Sequence, residues 1–342
     1  MLLAAGAGTR LRPLTYQLPK PLIPVANRPV IHYVLENLAR HGIKEIIVNL
    51  FAHADQIRSY CGDGSRWGLR IQYSHEPTLM GTAGGLKKVE SFFKGDSFFV
   101  MSGDGLSDIN LSEMLAFHKK KRAFATMAVK SIEERFDYGV TLAEKNGKIK
   151  GFLEKPSWGD VFSNTVNTGI YLFEPEVFKY IPKNKVYDFG HHLWPKLLKS
   201  GRPIYAHALN SYWTDVGNLA EYRKSQIDFL DGHVRFAIPG REIFKGIWIE
   251  EPASVSPDAI LRPPCLIGKN ARIEAHAEIG PHTVIGSNSK ISSRAVLKNC
   301  ILFENVTVEK NAHLSNCILG AGGHVKGSIT VYEAAVLNMP HQ

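Results

Sequence analysis

The chain has 342 residues, 44% of them hydrophobic, and a formal net charge of +9. That length and apolar content predict two domains with ordinary cores. No apolar run reaches the roughly 18 residues of a membrane span, and the opening MLLAAGAG lacks the basic region and long apolar core of a signal peptide. Cys61, Cys265, Cys300 and Cys317 lie far apart with no CxxC pair, which argues against zinc and for a reduced, cytoplasmic setting. The positive balance suits nucleic acid and small polyanions equally. Its densest run, HKKKR at 118–122, closes a predicted helix, where cations offset the C-terminal dipole, so it reads as a solvated helix end.

In chain order, MLLAA reads as the end of a buried strand. It is unusually short, so the start is expected to be clipped. Apolar residues at Val30, Val34 and Leu38 and at Ile31 and Leu35, with Gly42 as the stop, predict a helix. EIIVNL (45–50) reads as a strand, ADQIRSYCG as a short helix, LRIQYSHE as a strand and TAGGLKKVESFF as a helix. SFFVMSGD (97–104) is a further strand ending at Gly103-Asp104. Strands alternating with helices predict an α/β domain with a mostly parallel, Rossmann-like sheet. Ligands bind such sheets beyond the carboxyl ends of the strands. The stretch after the first strand and GDG (103–105) should therefore face one crevice.

Past residue 250 the rhythm changes. Ile267, Ile273, Ile279, Ile285, Ile291 and Leu297 stand six apart, a period that fits neither a helix nor a simple strand. It fits a left-handed parallel β-helix of hexapeptide repeats, each aliphatic residue pointing inward. NCIL recurs at 299–302 and 316–319, close to one full coil, so Cys300 and Cys317 are expected to stack as small buried groups. The expected division is residues 1–232 for the first domain, 233–264 for a linker and lead-in, and 265–342 for the β-helix.

The stretch AAGAGTRLRPLTYQLPKPLIP (4–24) carries the chemistry. A Rossmann GxGxxG would need glycine at Leu11, and a Walker A loop would need a Gly-Lys pair; neither is present. What remains is a Gly-rich turn after a strand, whose N–H groups can cradle phosphate. Arg10 beside it can grip phosphate oxygens as a fork. Lys20 lies between Pro19 and Pro21, and Pro21 biases it to an extended backbone, so the ammonium would be aimed with little entropy left to lose.

LAAGAGTRLRPLTYQLPKPLIPV closely resembles the signature of sugar-1-phosphate nucleotidylyltransferases. The hexapeptide tail resembles that of two-domain members, notably mannose-1-phosphate guanylyltransferases, so the resemblance covers nearly the whole chain. It implies transfer of a nucleotidyl group from a nucleoside triphosphate to a sugar 1-phosphate, with release of pyrophosphate. On that resemblance Leu3, Ala5 and Gly6 approach the nucleotide, Arg10 holds the leaving pyrophosphate, and Lys20 stabilises charge at the α-phosphate. Asp104 in SGDGLSD and Asp215 in YWTDVGNLAEY match the two carboxylates expected to hold Mg²⁺. Asp108 nearby reads as a cap or structural residue. FLEKP (152–156) implies Glu154 on sugar hydroxyls and Lys155 on the sugar phosphate. VNTGIY (166–171) implies Asn167 on the sugar, and DYGV (137–140) offers Gly139 for close backbone approach.

EPTLMGTAGGL (76–86) matches the base-reading segment, with Gly81 and Thr82 near the base. Guanine shows adjacent N1–H and N2–H₂ donors that one carboxylate can accept, whereas uracil and thymine show an N–H between two carbonyls that it would repel. Glu76 therefore favours GTP if its side chain reaches the base, and the resemblance adds mannose 1-phosphate as the sugar. The competing readings are a uridylyl- or thymidylyltransferase on glucose 1-phosphate, a non-catalytic regulatory homologue, and an acyltransferase built on the β-helix. The second would be expected to lose Arg10, Lys20, Lys155 or the aspartates, all present. The third needs a catalytic histidine, and no motif singles out His276, His282, His313 or His324. No nucleic-acid or membrane partner is expected, and a homo-oligomer is, with the β-helix as the candidate joint.

Overall fold

The computed structural model describes residues 1–6, 8–93, 95–133 and 138–337. Ala7 of the opening stretch and Asp137 of DYGV lie outside them. The chain forms two compact units: residues 1–7 with 31–215, and residues 8–30 with 216–342.

The first unit is built on a nine-stranded sheet. Its strands are β1 (Leu2–Leu3), β4 (Glu45–Leu50), β5 (Arg70–His75), β6 (Phe98–Ser102), β8 (Ala125–Ser131), β9 (Val140–Ala143), β10 (Ile149–Leu153), β11 (Thr165–Phe173) and β12 (Ile204–Ala208). The short strands β2 (Pro24–Val25) and β3 (Arg28–Pro29) belong to the second unit, and β7 (Leu106–Ser107) pairs separately with β13 (Trp213–Thr214). The order is β10-β9-β11-β6-β1-β4-β5, with β8 on β11 and β12 on β8. β6, β1, β4 and β5 run parallel, while β11 crosses antiparallel to β6 and β8. Val48 and Leu50 of β4 and Val100 of β6 are fully buried, as expected of strands covered on both faces. The surrounding helices are α1 (Val30–Arg40), α2 (Ala54–Cys61), α3 (Thr82–Lys88), α4 (Leu111–Lys120) and α5 (Trp194–Lys199). Asn110 caps α4 through its side chain to the Glu113 N–H, and His118, Lys119 and Lys120 fill the last turn, as the cationic run predicts.

The second unit holds α6 (Leu219–Leu230) and three parallel columns of short strands, the pattern of a parallel β-helix. The expected ladder of Ile267, Ile273, Ile279, Ile285, Ile291 and Leu297 forms its interior, with no residue more than 3% exposed. Its corners explain the period. Asn270, His276, His282, Asn288, Arg294, Asn299, Asn305, Asn311 and Asn316 adopt left-handed backbone with φ between 49° and 62°. Asparagine tolerates that conformation best after glycine, so it recurs where each side turns. Cys300 stacks on Cys317 one coil on, both fully buried.

One expectation is corrected. The segment read as linker and lead-in, 233–264, contains most of a first coil. β14 (Arg241–Phe244) and β15 (Ile247–Ile249) form a hairpin, and β15 pairs in parallel with β18 (Cys265–Ile267). β16 (Ser254–Val255) and β17 (Ile260–Leu261) occupy the other two sides.

Candidate active site

In the first unit the carboxyl ends of β1, β4, β5 and β6 share one sheet edge. Leu3 lies opposite Asn49 on one side and Ser102 on the other. The Gly103 N–H donates to the Leu3 carbonyl (2.9 Å), and a Cβ on Gly103 would lie 3.6 Å from the Ala4 Cβ, so the residue before Asp104 meets the start of the Gly-rich turn. Gly6 is exposed, with nothing within 4 Å of a Cβ built on it, so its backbone is open to a ligand.

Asp104 and Asp215 flank two paired strands, in which Leu106 lies opposite Thr214 and Ser107 opposite Trp213. Continuing that antiparallel register would set Asp215 across from Gly105, the neighbour of Asp104 in the chain. A Cβ on Gly105 would lie 3.5 Å from the Thr214 carbonyl. Both carboxylates are half-buried, and the Ser102 hydroxyl donates to Asp104 Oδ1. Asp108 is structural, as expected: its Oδ1 accepts the Tyr212 N–H (2.8 Å) and so locks the two strands together. Immediately after Asp215, Val216 has φ of 48°, a strained conformation for a β-branched residue and one that clusters at functional sites.

The sugar-side candidates also converge. β11 bulges between Asn167 and Tyr171, with Gly169 at φ 74°. Within this bulge the Asn167 N–H donates to the Gly139 carbonyl (2.8 Å), its amide donates to the Tyr171 hydroxyl (2.8 Å), and its Oδ1 accepts the Gly169 N–H (3.0 Å). The Trp213 indole donates to the Thr168 carbonyl (3.0 Å), tying the bulge to the Asp215 strand. Burial holds the Tyr171 phenol well above its usual range, so it stays protonated. Glu154 packs between two glycines. A Cβ on Gly139 would come within 2.8 Å of Glu154 Oε2, and one on Gly190 within 2.1 Å. Lys155 is exposed with φ of 41°. We expect Gly190→Ala to displace Glu154 and raise the KM for the sugar phosphate about tenfold, with the nucleotide KM little changed; steady-state kinetics in both substrates checks this.

Glu76 is a correction. It is 1% exposed, its Oε1 accepts the Asn49 amide (2.7 Å), and its Oε2 accepts the Met80 N–H (3.0 Å). Asn49 Oδ1 in turn accepts the Ala4 N–H (2.9 Å). A carboxylate buried this way, with a protein donor on each oxygen, faces Asn49 and Met80 rather than open space. It fixes the base-side segment to the start of the Gly-rich turn instead.

Sequence reasoning also missed Asp188. Its carboxylate accepts the Thr82 N–H (3.1 Å) and hydroxyl (3.3 Å), and the Thr82 hydroxyl accepts the Phe189 N–H (2.8 Å). The Tyr187 carbonyl receives the N–H groups of Ala83 and Gly84. Gly81, at φ 72°, must be glycine because a Cβ would strike the Tyr187 carbonyl at 2.7 Å. Neither Asp188 nor Gly190 stands in a recognisable motif; only packing gives them meaning.

Arg10 and Lys20 lie in the second unit, where residues 9–11, 14–16 and 20–22 form three 3₁₀ turns. Arg10 is exposed and Lys20 is 7% exposed. Gly8, at φ 61°, approaches Lys20 so closely that a Cβ would lie 3.1 Å from the lysine Cβ. The proline argument needs one amendment: the extended residue is Pro19, and Lys20 opens a turn closed by the Ile23 N–H on its own carbonyl (3.1 Å). The side chain is fixed by a rigid turn rather than by an extended backbone.

Residues 1–231 match the family described as nucleotidyl transferase, and residues 247–339 match the GMPPB C-terminal domain. A UTP--glucose-1-phosphate uridylyltransferase of Synechocystis is 39% identical over 92% of this chain and 85% of its own length. A mannose-1-phosphate guanylyltransferase catalytic subunit beta of Drosophila melanogaster is 34% identical over 94% and 83% respectively. Among solved structures, one described as a glucose-1-phosphate thymidylyltransferase of Bacillus anthracis superposes with a TM-score of 0.62. It is 25% identical and covers 69% of this chain and 96% of that one.

Proposed function

Since the chain belongs to the nucleotidyl transferase family and is an enzyme of the sugar-1-phosphate nucleotidylyltransferase kind, we propose that it joins a nucleoside triphosphate to a hexose 1-phosphate at the sheet edge described above. The observation that chiefly supports the reading is the pairing of β7 with β13, which makes neighbours of the two short strands that Asp104 and Asp215 flank. A sugar-phosphate oxygen attacks the α-phosphorus, the new P–O bond forms as the bond to the β-phosphate oxygen breaks, and pyrophosphate leaves. Lys20 neutralises charge at the α-phosphate and Arg10 holds the pyrophosphate, which is positioning and charge compensation rather than covalent catalysis. Leu3, Ala5, Gly6, Gly81 and Thr82 bind the nucleotide; Gly139, Glu154, Lys155 and Asn167 bind the sugar phosphate.

Asp104 and Asp215 would hold Mg²⁺. Mg²⁺ takes one or two carboxylates and completes its shell with phosphate and water oxygens, so two aspartates are a chemically adequate donor set. When bound, it would lower the negative charge that an incoming phosphate must approach.

For base and sugar, GTP and mannose 1-phosphate are supported by the matched C-terminal domain and the guanylyltransferase relatives. UTP and glucose 1-phosphate are supported by the 39% identical relative. With Glu76 committed internally, no residue argument separates them. Pyrophosphate release over a grid of nucleotides and hexose phosphates tests the assignment. A single preferred pair with Mg²⁺ dependence is expected, and no release from any pair would overturn it. A cytoplasmic setting and a homo-oligomer complete the proposal.

A further inference from the structure

The second unit joins two parts of the chain whose association the sequence does not suggest. Directly after the Lys20 turn, β2 and β3 form a hairpin whose tip residues, Ala26 and Asn27, have φ of 44° and 60°. That tip is gripped from two sides. From α6, the Gln226 Oε1 accepts the Ala26 N–H (2.9 Å), and the Gln226 amide and Tyr222 hydroxyl both donate to the Pro24 carbonyl (2.7 Å each). From the β-helix, Glu250 at the end of β15 accepts the Arg28 guanidinium (2.7 Å) and the Asn27 amide (3.2 Å). The Asn27 amide also donates to the Ile285 carbonyl, two coils on (2.9 Å). Glu250 is 7% exposed and Gln226 3%.

A buried carboxylate is costly unless paired and hydrogen-bonded, and this one sits in the first coil with its partners Arg28 and Asn27 on the hairpin. From the hairpin tip to Lys20 the chain runs through the buried residues Leu22, Ile23 and Val25, which leaves little slack. We propose that Glu250 is a positioning residue: the β-helix braces the hairpin and thereby sets the Lys20 ammonium at the depth the reaction needs. This rests on the catalytic role proposed for Lys20. The C-terminal module is then a working part of the active site.

The test is Glu250→Gln in the full chain. The amide keeps the volume and can still accept from Asn27, but it turns a donor toward Arg28. Turnover at saturating substrates should fall about tenfold with both KM values within about twofold, because Lys20 acts in the transition state. Glu250→Asp, which keeps the charge, should recover part of the loss. In a Lys20→Ala background, Glu250→Gln should have no further effect, since residues acting through one group are not additive. Full turnover in Glu250→Gln would overturn the proposal, even with a lowered melting midpoint. So would an undiminished tenfold loss in the Lys20→Ala background. If Glu250→Gln does not fold, Arg28→Lys probes the same contact from the hairpin side and is read the same way. The reading of Lys20 fails separately, if Lys20→Ala alone keeps full turnover.

Discussion

Lys20→Ala should lower turnover by about two to three orders of magnitude, the usual cost of removing one preorganised charge from a transition state. Cooperative melting should persist, because three 3₁₀ turns and the hairpin hold the loop through backbone bonds that alanine keeps. Asp104→Ala should produce a loss of similar size by a different route, and a magnesium titration separates the two. The concentration of Mg²⁺ at half-maximal rate should rise in Asp104→Ala and stay put in Lys20→Ala. Equal responses to the ion would mean that the two residues do not divide the work as proposed.

Glu76→Gln should cost stability and leave the base preference where it was. Asn49 must present its amide to Glu76, because its carbonyl oxygen is taken by the Ala4 N–H. On the other side stands the Met80 N–H. Two donors face the carboxylate, and only a group that accepts on both oxygens satisfies them. Glutamine would aim its own amide at one of them, leaving a buried donor unmet at about 1–3 kcal/mol. For a domain of this size that corresponds to a fall of several degrees in the melting midpoint, at about 2–4 °C per kcal/mol. The ratio of GTP to UTP turnover should change by less than about twofold. A variant that melts like the parent but shifts toward UTP or dTTP would restore Glu76 as a base reader.

The contrast marks where sequence reasoning stops. Period and motif were legible because they are local or repetitive. The hexad spacing from Ile267 to Leu297 reports an inward-pointing column directly, and EIIVNL at 45–50 is a strand whose bounds match its apolar run. The two aspartates are singled out only through resemblance, and what the fold adds is that the short strands they flank are paired. The first coil escaped notice because Val255 and Leu261 stand where the later repeats carry isoleucine, and because proline interrupts its sides. Glu76, Asp188 and Gly190 depend on which neighbours meet them across distant segments, and a linear pattern carries no trace of that. Glu76 misled for a plain reason. A carboxylate beside a base-reading segment suggests recognition, while its burial, which decides the matter, is a property of the fold.

A stack of coils in which each rung touches only its neighbours loses order from a free end inward. Glu250 is on the first rung and Ile285 on the third, so these two moorings of the hairpin lie toward the start of the column. The other grip, α6, reaches further along, because Arg223 donates to the Asn316 carbonyl and Tyr222 packs on Phe303; erosion of the ladder would therefore loosen the hairpin through α6 before it reached Glu250.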